Sequence, residues 1–230
     1  MRYMGGKTSL GKEISQVLKQ HCSNNIKGYL EPFCGSLGVT KYMVDDYYCV
    51  VSDIHPDLIM LWNEVKDGTF VYPKETTKEE WLKYKVSPPS AMRAFYGFGL
   101  SFGGIFFSAY AFLYSGGRNV LSETINSIKK REQYIKKINE IIHCSYDTHK
   151  PEGMLIYCDP PYKNTQKYSN GKFDSDKFWE TVRHWSKNNI VIVSEFEAPD
   201  DFKCIWEKER KLTVSQKNPK IRIEKLFMKT

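Results

Sequence analysis

The chain of 230 residues is long enough for one large domain or two small ones, and its 41% apolar residues can supply a hydrophobic core. That length and apolar content argue against disorder as the main state, and a charged fraction of 27% argues for a soluble protein. The net charge of +7 is concentrated at one end, because residues 203–230 hold nine Lys/Arg against three Asp/Glu, a net of +6. Such an end is typical of either a solvated charged segment or a surface that contacts phosphate groups.

The cysteine and histidine patterns argue against a zinc site. The six cysteines contain no C-x-x-C pair, and the five histidines are scattered, so we expect no metal. No apolar run follows the charged residues near the start of the chain, so we expect no signal peptide. Reduced thiols in the cytoplasm are the natural expectation.

Residues 94–114 form a run of 21 residues without a charge, which is long enough to cross a bilayer. Four glycines, two serines and three tyrosines interrupt the run, and it lacks the steady Leu/Ile/Val content of a membrane span. The sequence therefore favours a glycine- and aromatic-rich segment, part core and part binding surface. We expect no membrane association.

The first third of the chain alternates between helices and strands. The predicted elements are an amphipathic helix with apolar Leu10, Ile14, Val17 and Leu18, a strand over 28–33, a helix over 39–46, a strand over 47–52, and a helix beginning at Pro56. Asp53 comes directly after the second strand. This order is typical of nucleotide-binding α/β sheets, in which ligands lie beyond the carboxyl ends of the strands.

The pattern changes between residues 68 and 150. A charged helix is predicted over 76–86, an aromatic segment follows, and a helix opens near Ser122 with isoleucines on its inner face as far as Ile142. The exposed face of that helix carries Lys129, Lys130, Arg131, Lys136 and Lys137. Five charges on one face indicate either a solvated surface or contact with a nucleic-acid backbone.

The alternating pattern then resumes. The predicted elements are a buried strand over 154–158, a helix over 175–187, a strand over 190–194 and an edge strand over 221–227. We therefore expect a catalytic sheet domain formed by residues 1–67 and 151–230, interrupted by an insertion over 68–150.

The most specific motif is Asp159-Pro160-Pro161-Tyr162, directly after the buried strand 154–158. Two prolines remove two amide donors and leave carbonyl oxygens free to accept, beside the Asp159 carboxylate. Such an array suits an exocyclic NH2 group, because accepting both N–H bonds frees the nitrogen lone pair for attack on an electrophile. Tyr162 would stack on the base. A plain Pro-Pro turn with an Asp cap is the structural alternative.

A second motif, Glu31 to Gly38, is a strand-to-helix turn whose glycines let the backbone approach a ligand. Asp53 follows Gly35 by 18 residues, at the end of the next strand, where an acid can bind ribose hydroxyls. The pattern G-x-G-x-x-G is absent, so the ligand need not carry a phosphate.

Four motifs in sequence order resemble those of a known family. They are Tyr3-Met4-Gly5-Gly6-Lys7, EPFCGSLGV over 31–39, VSDIHPDLI over 51–59 and CDPPY over 158–162. Together they resemble the motifs of Dam-like adenine-specific DNA methyltransferases, close to phage and viral forms. The α-type amino-methyltransferases have the same order, in which the cofactor motifs come first, a target-recognition insertion follows, and DPPY comes last.

The resemblance implies an α/β fold, with a Rossmann-like S-adenosylmethionine-dependent methyltransferase sheet of seven strands, the last one reversed, and an inserted, mainly helical target-recognition domain. By position it implies cofactor contacts from Tyr3, Met4, Gly5, Lys7, Glu31, Pro32, Phe33, Gly35, Ser36, Gly38, Asp53, Ile54 and Asp159. It implies catalysis by Asp159, Pro160, Pro161 and Tyr162, and DNA contacts from Arg93, Arg118, Asn119, Lys129, Lys130 and Arg131. The chain departs from the common family pattern at Leu37, where a second glycine is frequent, and at Phe196, where a tyrosine is frequent.

These features predict site-specific methylation of the adenine amino group in double-stranded DNA, with S-adenosylmethionine as cofactor, by base flipping and direct methyl transfer. The polar loop 163–173 is expected to close over the flipped base. The protein is expected to be a monomer or weak dimer, with a phage or viral origin as one option. Two alternatives stay open: methylation of RNA or another exocyclic amine, and a catalytically silent DNA-binding or membrane-associated module.

Overall fold

The computed structural model describes residues 1, 3–22, 25–111, 119–162, 173–212 and 220–230. The strands are β1 (Gly28–Glu31), β2 (Cys49–Asp53), β3 (Glu140–His143), β4 (Met154–Cys158), β5 (Ile190–Glu195), β6 (Phe202–Leu212) and β7 (Lys220–Lys229). The helices are α1 (Gly11–Gln20), α2 (Pro56–Asp67), α3 (Lys78–Lys85), α4 (Ala91–Ala94), α5 (Val120–Ile135) and α6 (Ser175–Trp185). Single 3-10 turns lie at Thr40–Tyr42, Phe102–Gly104 and Tyr146–Thr148, and a π-helical turn spans Phe95–Gly99.

The seven strands form one sheet in the order β3-β2-β1-β4-β5-β7-β6. The first five strands of that order run parallel, and β7 is antiparallel to both β5 and β6. The predicted α/β class and the Rossmann-like sheet with a reversed last strand are therefore confirmed. The strand order reverses direction between β1 and β4, which is where open α/β sheets bind their ligands.

Side chains alternate between the two faces of the sheet, and each face has its own apolar core. Along β4, Leu155 and Tyr157 join the core beneath α1, α2 and α5, whereas Ile156 and Cys158 join the core beneath α6. Because parallel strands are covered on both faces, they consist of nearly continuous apolar residues. This explains why the sequence MLIYC predicted a buried strand correctly.

One predicted strand has a different place in the sheet, and one strand was missed. The run 221–227 was predicted as an edge strand, but β7 lies between β5 and β6, and β6 forms the edge. The interior position agrees with Leu226 and Phe227, which are both buried. The edge strand β6 was not predicted, because its exposed positions are charged residues that hide the apolar alternation.

Two helix predictions extended too far. Residues 39–46 contain only the short 3-10 turn Thr40–Tyr42. Helix α5 ends at Ile135, and residues 140–143 form β3 instead of a last helical turn. Asn139 explains the change, since its backbone N–H donates to the Cys49 carbonyl and its side-chain oxygen accepts from the Cys49 N–H at 2.7 Å. The predicted insertion 68–150 thus includes one strand of the main sheet, while the division into domains stays a prediction.

The uncharged segment 94–114 is described as far as residue 111, and its glycines allow close packing. A Cβ atom on Gly97 would lie 2.3 Å from the Phe106 ring, and one on Gly99 would lie 2.5 Å from Thr124 Cγ2 on α5. Thr124 also donates a hydrogen bond to the Gly99 carbonyl at 2.8 Å. In the described part of the chain, no helix has the length and apolar character needed to cross a membrane.

Gly11 at the start of α1 provides a stability test. Alanine is the better helix former by about 1 kcal/mol. However, a Cβ at position 11 would lie 2.0 Å from the Gly38 carbonyl oxygen, which belongs to backbone. We expect Gly11→Ala to destabilise the fold by about 1–3 kcal/mol, measured by denaturant unfolding. Gln16→Ala on the exposed face of α1 is the control, and a stabilised Gly11→Ala protein would contradict the close approach.

Candidate active site

The site lies at the carboxyl edge of the sheet. Because β2, β1 and β4 are parallel neighbours, the segments that follow them meet at the same edge. The turn after β1, Asp53 at the end of β2 and Asp159 after β4 are thereby brought together. The N-terminal segment joins them through Lys7, whose Nζ donates to Asp159 Oδ1 at 2.6 Å.

Asp53 holds the turn that follows β1. Its Oδ2 accepts from the Gly35 N–H at 3.0 Å, and its Oδ1 accepts from the His55 N–H at 3.0 Å. Burial raises the pKa of Asp53, and the hydrogen bonds from these amides oppose the rise. A carboxylate has about four acceptor positions, so Asp53 can still accept a hydroxyl group beside its backbone amides. The neighbouring Ile54 is 51% exposed and offers an apolar surface at the same edge.

The turn itself adopts left-handed backbone at two positions. Gly35 has φ +44°, and the buried Leu37 has φ +60°. A non-glycine residue in this region is strained and persists only where its surroundings hold it. Three contacts do so: Trp62 Nε1 donates to the Gly35 carbonyl at 2.9 Å, Leu37 N–H donates to the Cys34 carbonyl at 2.7 Å, and Arg131 Nε donates to the Ser36 carbonyl at 3.3 Å. The departure from the family pattern at Leu37 therefore keeps the glycine-like backbone.

The turn packs directly against the N-terminal segment. A Cβ on Gly38 would lie 2.9 Å from the Thr8 backbone nitrogen, and one on Gly6 would lie 2.7 Å from Ser36 Oγ. The N–H of Met4 in turn donates to the Gly104 carbonyl at 3.2 Å. The predicted cofactor residues at 3–7 and 31–38 are thus in contact with each other, although their contact with a cofactor stays a prediction.

Glu31 ends β1 and lies beneath the site. It is buried and accepts hydrogen bonds from Tyr29 Oη at 2.7 Å and from the Thr40 hydroxyl. Burial raises the pKa of Glu31 to about 7, and the hydrogen bonds from Thr40 and Tyr29 oppose the rise. Phe33 lies further along the same segment, where its ring stacks on Tyr146 with centroids 5.2 Å apart. Pro32 between them is buried.

The turn after β4 is held on several sides. Pro160 is buried and Pro161 is half-buried. Tyr162 shares a hydrogen bond of 2.8 Å with Ser194 and donates to Glu224 Oε2 at 3.0 Å, and its ring meets Phe196 edge-to-face at 4.5 Å. Burial raises the pKa of Asp159, and the neighbouring Lys7 ammonium opposes the rise.

Sequence reasoning missed three residues of this site. Glu224 lies 3.7 Å from Lys7 Nζ, Ser194 contacts Tyr162, and Tyr146 stacks on Phe33. Ser194 could have been found, because it lies near the carboxyl end of a predicted strand. Glu224 lies within the alternating run 221–227, and nothing in that run sets its side chain apart from a solvent-facing one.

The six predicted DNA-contacting residues separate into distinct environments. Lys129 and Lys130 are exposed on α5, and Asn119 caps the same helix by accepting from the Ser122 N–H at 2.9 Å. Arg93 Nη1 pairs with buried Asp57 at 2.7 Å, which gives this arginine a structural role. Arg118 lies outside the described residues, as do residues 163–172 of the predicted closing loop.

Arg131 is in a different environment from the exposed Lys129 and Lys130 on the same helix. It is 8% exposed and donates to the Ser36 carbonyl and, through Nη1, to the carbonyl and hydroxyl of Ser127 at 2.6 Å. A guanidinium buried in this way supports the turn after β1 and is poorly placed to reach a phosphate. Its predicted contact with DNA has no support in this geometry.

Potential metal ligands are not clustered in the part of the chain described here. No group of three or more His, Cys, Asp or Glu side chains lies close enough together to hold an ion.

Comparisons with known proteins agree with this architecture. Residues 3–90 match the model of the D12 class N6 adenine-specific DNA methyltransferase family. The chain is also 35% identical over 208 residues to the Type II methyltransferase M.MjaIII of Methanocaldococcus jannaschii. That similarity covers 88% of this chain and 63% of the relative, so the chain spans less than two thirds of the length of the protein it matches.

The raised pKa of Glu31 predicts how the stability of the fold depends on pH. Its pKa rises from the ordinary value of 4.5 to about 7 in the folded protein. Between these values the folded protein holds a proton that the unfolded chain has lost, so stability falls as pH rises. We expect Glu31→Gln to remove up to about 3 kcal/mol of that fall, measured by urea unfolding at pH 5 and pH 8. The same pH dependence in both proteins would contradict a raised pKa.

Proposed function

We propose that this protein methylates the exocyclic amino group of adenine at specific sites in duplex DNA, with S-adenosylmethionine as the methyl donor. The observation that carries the proposal is the Asp159-Pro160-Pro161-Tyr162 turn, which follows β4 and is paired with Lys7 at the sheet edge that also holds Asp53. The match of residues 3–90 to an adenine-specific DNA methyltransferase family supports it. The similarity to a Type II methyltransferase supports it as well.

The residues at the carboxyl edge fit S-adenosylmethionine. Asp53 can still accept a ribose hydroxyl, and Gly35 and Gly38 let the N-terminal residues Tyr3 and Thr8 pack closely on the turn after β1. Ile54 offers an apolar surface for an adenine ring. When bound, the cofactor supplies a methyl group made electrophilic by its sulfonium. Tyr3, Met4, Gly5, Lys7 and Ser36 border the same turn and complete the proposed pocket.

The turn after β4 prepares the nucleophile. The Asp159 carboxylate and the Pro160 carbonyl accept the two N–H bonds of a flipped adenine, and this favours a nitrogen whose lone pair points away from the ring plane. Tyr162, fixed through its hydroxyl, offers its ring to the base. Transfer forms the N–C bond as the C–S bond breaks, and the methylated nitrogen then loses a proton to water.

Recognition of DNA falls to the residues between α2 and β3. We place the recognition region within residues 68–139, because 140–143 belong to the main sheet. Exposed Lys129 and Lys130 on α5 can contact phosphates, which position the duplex. Flipping the target base costs a few kcal/mol, so such contacts are needed to hold the distorted duplex.

The activity is tested by incubating the protein with labelled S-adenosylmethionine and duplex DNA, single-stranded DNA or structured RNA. We expect label in duplex DNA, recovered as N6-methyladenine. Transfer to RNA alone would favour the RNA methyltransferase alternative. Cofactor binding without transfer to any substrate, or no cofactor binding by calorimetry, would favour the silent binding module.

Replacement of Asp159 separates chemistry from binding. We expect Asp159→Ala and Asp159→Asn to lower kcat by about 100-fold or more, because the turn loses its charged acceptor. Binding of S-adenosylmethionine, measured by calorimetry, should remain at least partly intact, since Asp53 and the turn after β1 are unchanged. Full activity in either variant would exclude Asp159 from the reaction.

Replacements of neighbouring cations on α5 are expected to have different effects on the salt dependence of DNA binding. Replacing Lys129 or Lys130 with Ala should weaken DNA binding and reduce the slope of log Kd against log salt by about one per lost phosphate contact. Arg131→Lys should leave that slope unchanged and weaken cofactor binding, because Arg131 holds the Ser36 carbonyl. Fluorescence anisotropy with labelled duplex over a salt series, and calorimetry for the cofactor, distinguish the two groups.

A further inference from the structure

Glu224 on β7 is a buried carboxylate at the site to which the sequence motifs assign no role. It is 4% exposed. Its Oε2 accepts from the Tyr162 hydroxyl at 3.0 Å and lies 3.7 Å from Lys7 Nζ. Both of these residues also interact with Asp159. One carboxylate from a distant part of the chain thus lies beside the two partners of Asp159, the proposed acceptor of the substrate amine.

The register of the sheet explains why Glu224 reaches this point. On β5, the last residue Glu195 pairs with Lys225 of β7. Because the two strands are antiparallel, the residue before Lys225 lies just beyond the carboxyl end of β5. That is the edge at which β4 ends and Asp159 begins.

The Lys7 ammonium is shared unequally by two carboxylates. It lies at hydrogen-bond distance from Asp159, 2.6 Å, and 3.7 Å from Glu224. A movement of about 1 Å would bring it within hydrogen-bond distance of Glu224. A substrate amine that docks at Asp159 Oδ1 competes with the Lys7 ammonium for that oxygen. The ammonium therefore needs a second negative partner if Asp159 is to accept the amine fully.

We propose that Glu224 is a positioning residue that takes up the Lys7 ammonium when the substrate amine docks on Asp159. The inference rests on the proposed function, since it assumes that Asp159 receives an amino group. Glu224 also fixes the Tyr162 hydroxyl, so that the ring lies beside the incoming base. Without the charge of Glu224, Lys7 stays on Asp159 and weakens it as an acceptor.

The pH dependence of transfer reports on this arrangement. Asp159 faces Lys7, Tyr162, Tyr157, Glu31 and Glu224. Burial is the largest cause of its raised pKa, and the negative charge of Glu224 adds to the rise. Removing that charge lowers the pKa of Asp159. The acid limb of the profile of kcat against pH is the fall in kcat that occurs as Asp159 becomes protonated. This limb then moves to lower pH.

The test compares Glu224→Gln with the wild-type protein in steady-state methyl transfer to duplex DNA between pH 5 and pH 9. The amide oxygen can still accept from Tyr162, so only the charge is lost. We expect kcat to fall about 10- to 100-fold, as for loss of one charge-assisted interaction in the transition state. The acid limb should move to lower pH, and the Kd for S-adenosylmethionine should change less than about threefold, that is, by less than about 0.7 kcal/mol.

Two further variants serve as controls. Glu207→Gln makes the same change at an exposed position of β6 and should behave as wild type. Glu224→Asp retains the charge and should keep kcat within about threefold of wild type, with its acid limb in the wild-type position, a difference under about 0.7 kcal/mol. If a thermal melt shows that Glu224→Gln is not folded, Glu224→Asp serves as the test of the inference. A displaced acid limb in Glu224→Asp overturns it.

The outcomes separate the two proposals. Wild-type kcat and an unmoved acid limb in Glu224→Gln would overturn the role of Glu224 alone. Equal loss of kcat in Glu224→Asp and Glu224→Gln would do the same, because side-chain shape would then matter more than charge. An inactive wild-type protein would instead overturn the proposed function.

Discussion

The contact between Lys7 and Asp159 joins residues 152 positions apart in the chain, and the rest of the site is organised around it. This contact holds the N-terminal segment at the carboxyl ends of the strands. The same segment packs against the turn after β1, which Asp53 holds from β2. A single part-buried ion pair therefore links four separate parts of the sequence. Such a pair is costly to break, because removing Asp159 would leave the buried Lys7 ammonium without its nearest carboxylate.

The electrostatic balance of the site follows from this arrangement. Asp159, Glu224 and Glu31 are three carboxylates near one another at or beneath the carboxyl edge, and burial raises the pKa of Asp159 and of Glu31. Lys7 compensates part of the negative charge, and it lies over the Tyr162 ring with Nζ 4.8 Å from the centroid. An acceptor-rich edge with limited compensation favours a ligand that brings N–H donors. An adenine amino group has that property.

Helix α5 connects the proposed recognition region to the turn after β1. Its inner face packs on the main core, and Thr124 and Arg131 reach the carbonyls of Gly99 and Ser36. Its outer face carries Lys129 and Lys130 in solvent. In the proposed function one helix both supports the turn and offers cations to DNA, so it would hold the duplex in a fixed relationship to the cofactor. The aromatic segment 94–111 fills the space between α5 and the N-terminal residues.

The sequence by itself determined the parts of this protein that depend on local pattern. The apolar runs of β4 and β5 predicted strands, that of β4 a buried one, and Asp53 and Asp159 were found because each follows a predicted strand directly. The tertiary structure alone decided the partners of charged groups. The sequence predicts that Arg131 is exposed beside Lys129 and Lys130, but its side chain is buried against Ser36. The sequence likewise predicts that Glu224 faces solvent, but it lies beside Lys7. The interior position of β7 and the change from helix to strand after Ile135 belong to the same class. Each depends on contacts between distant residues, and neither periodicity nor residue type along the chain encodes which distant residue a charged side chain will meet.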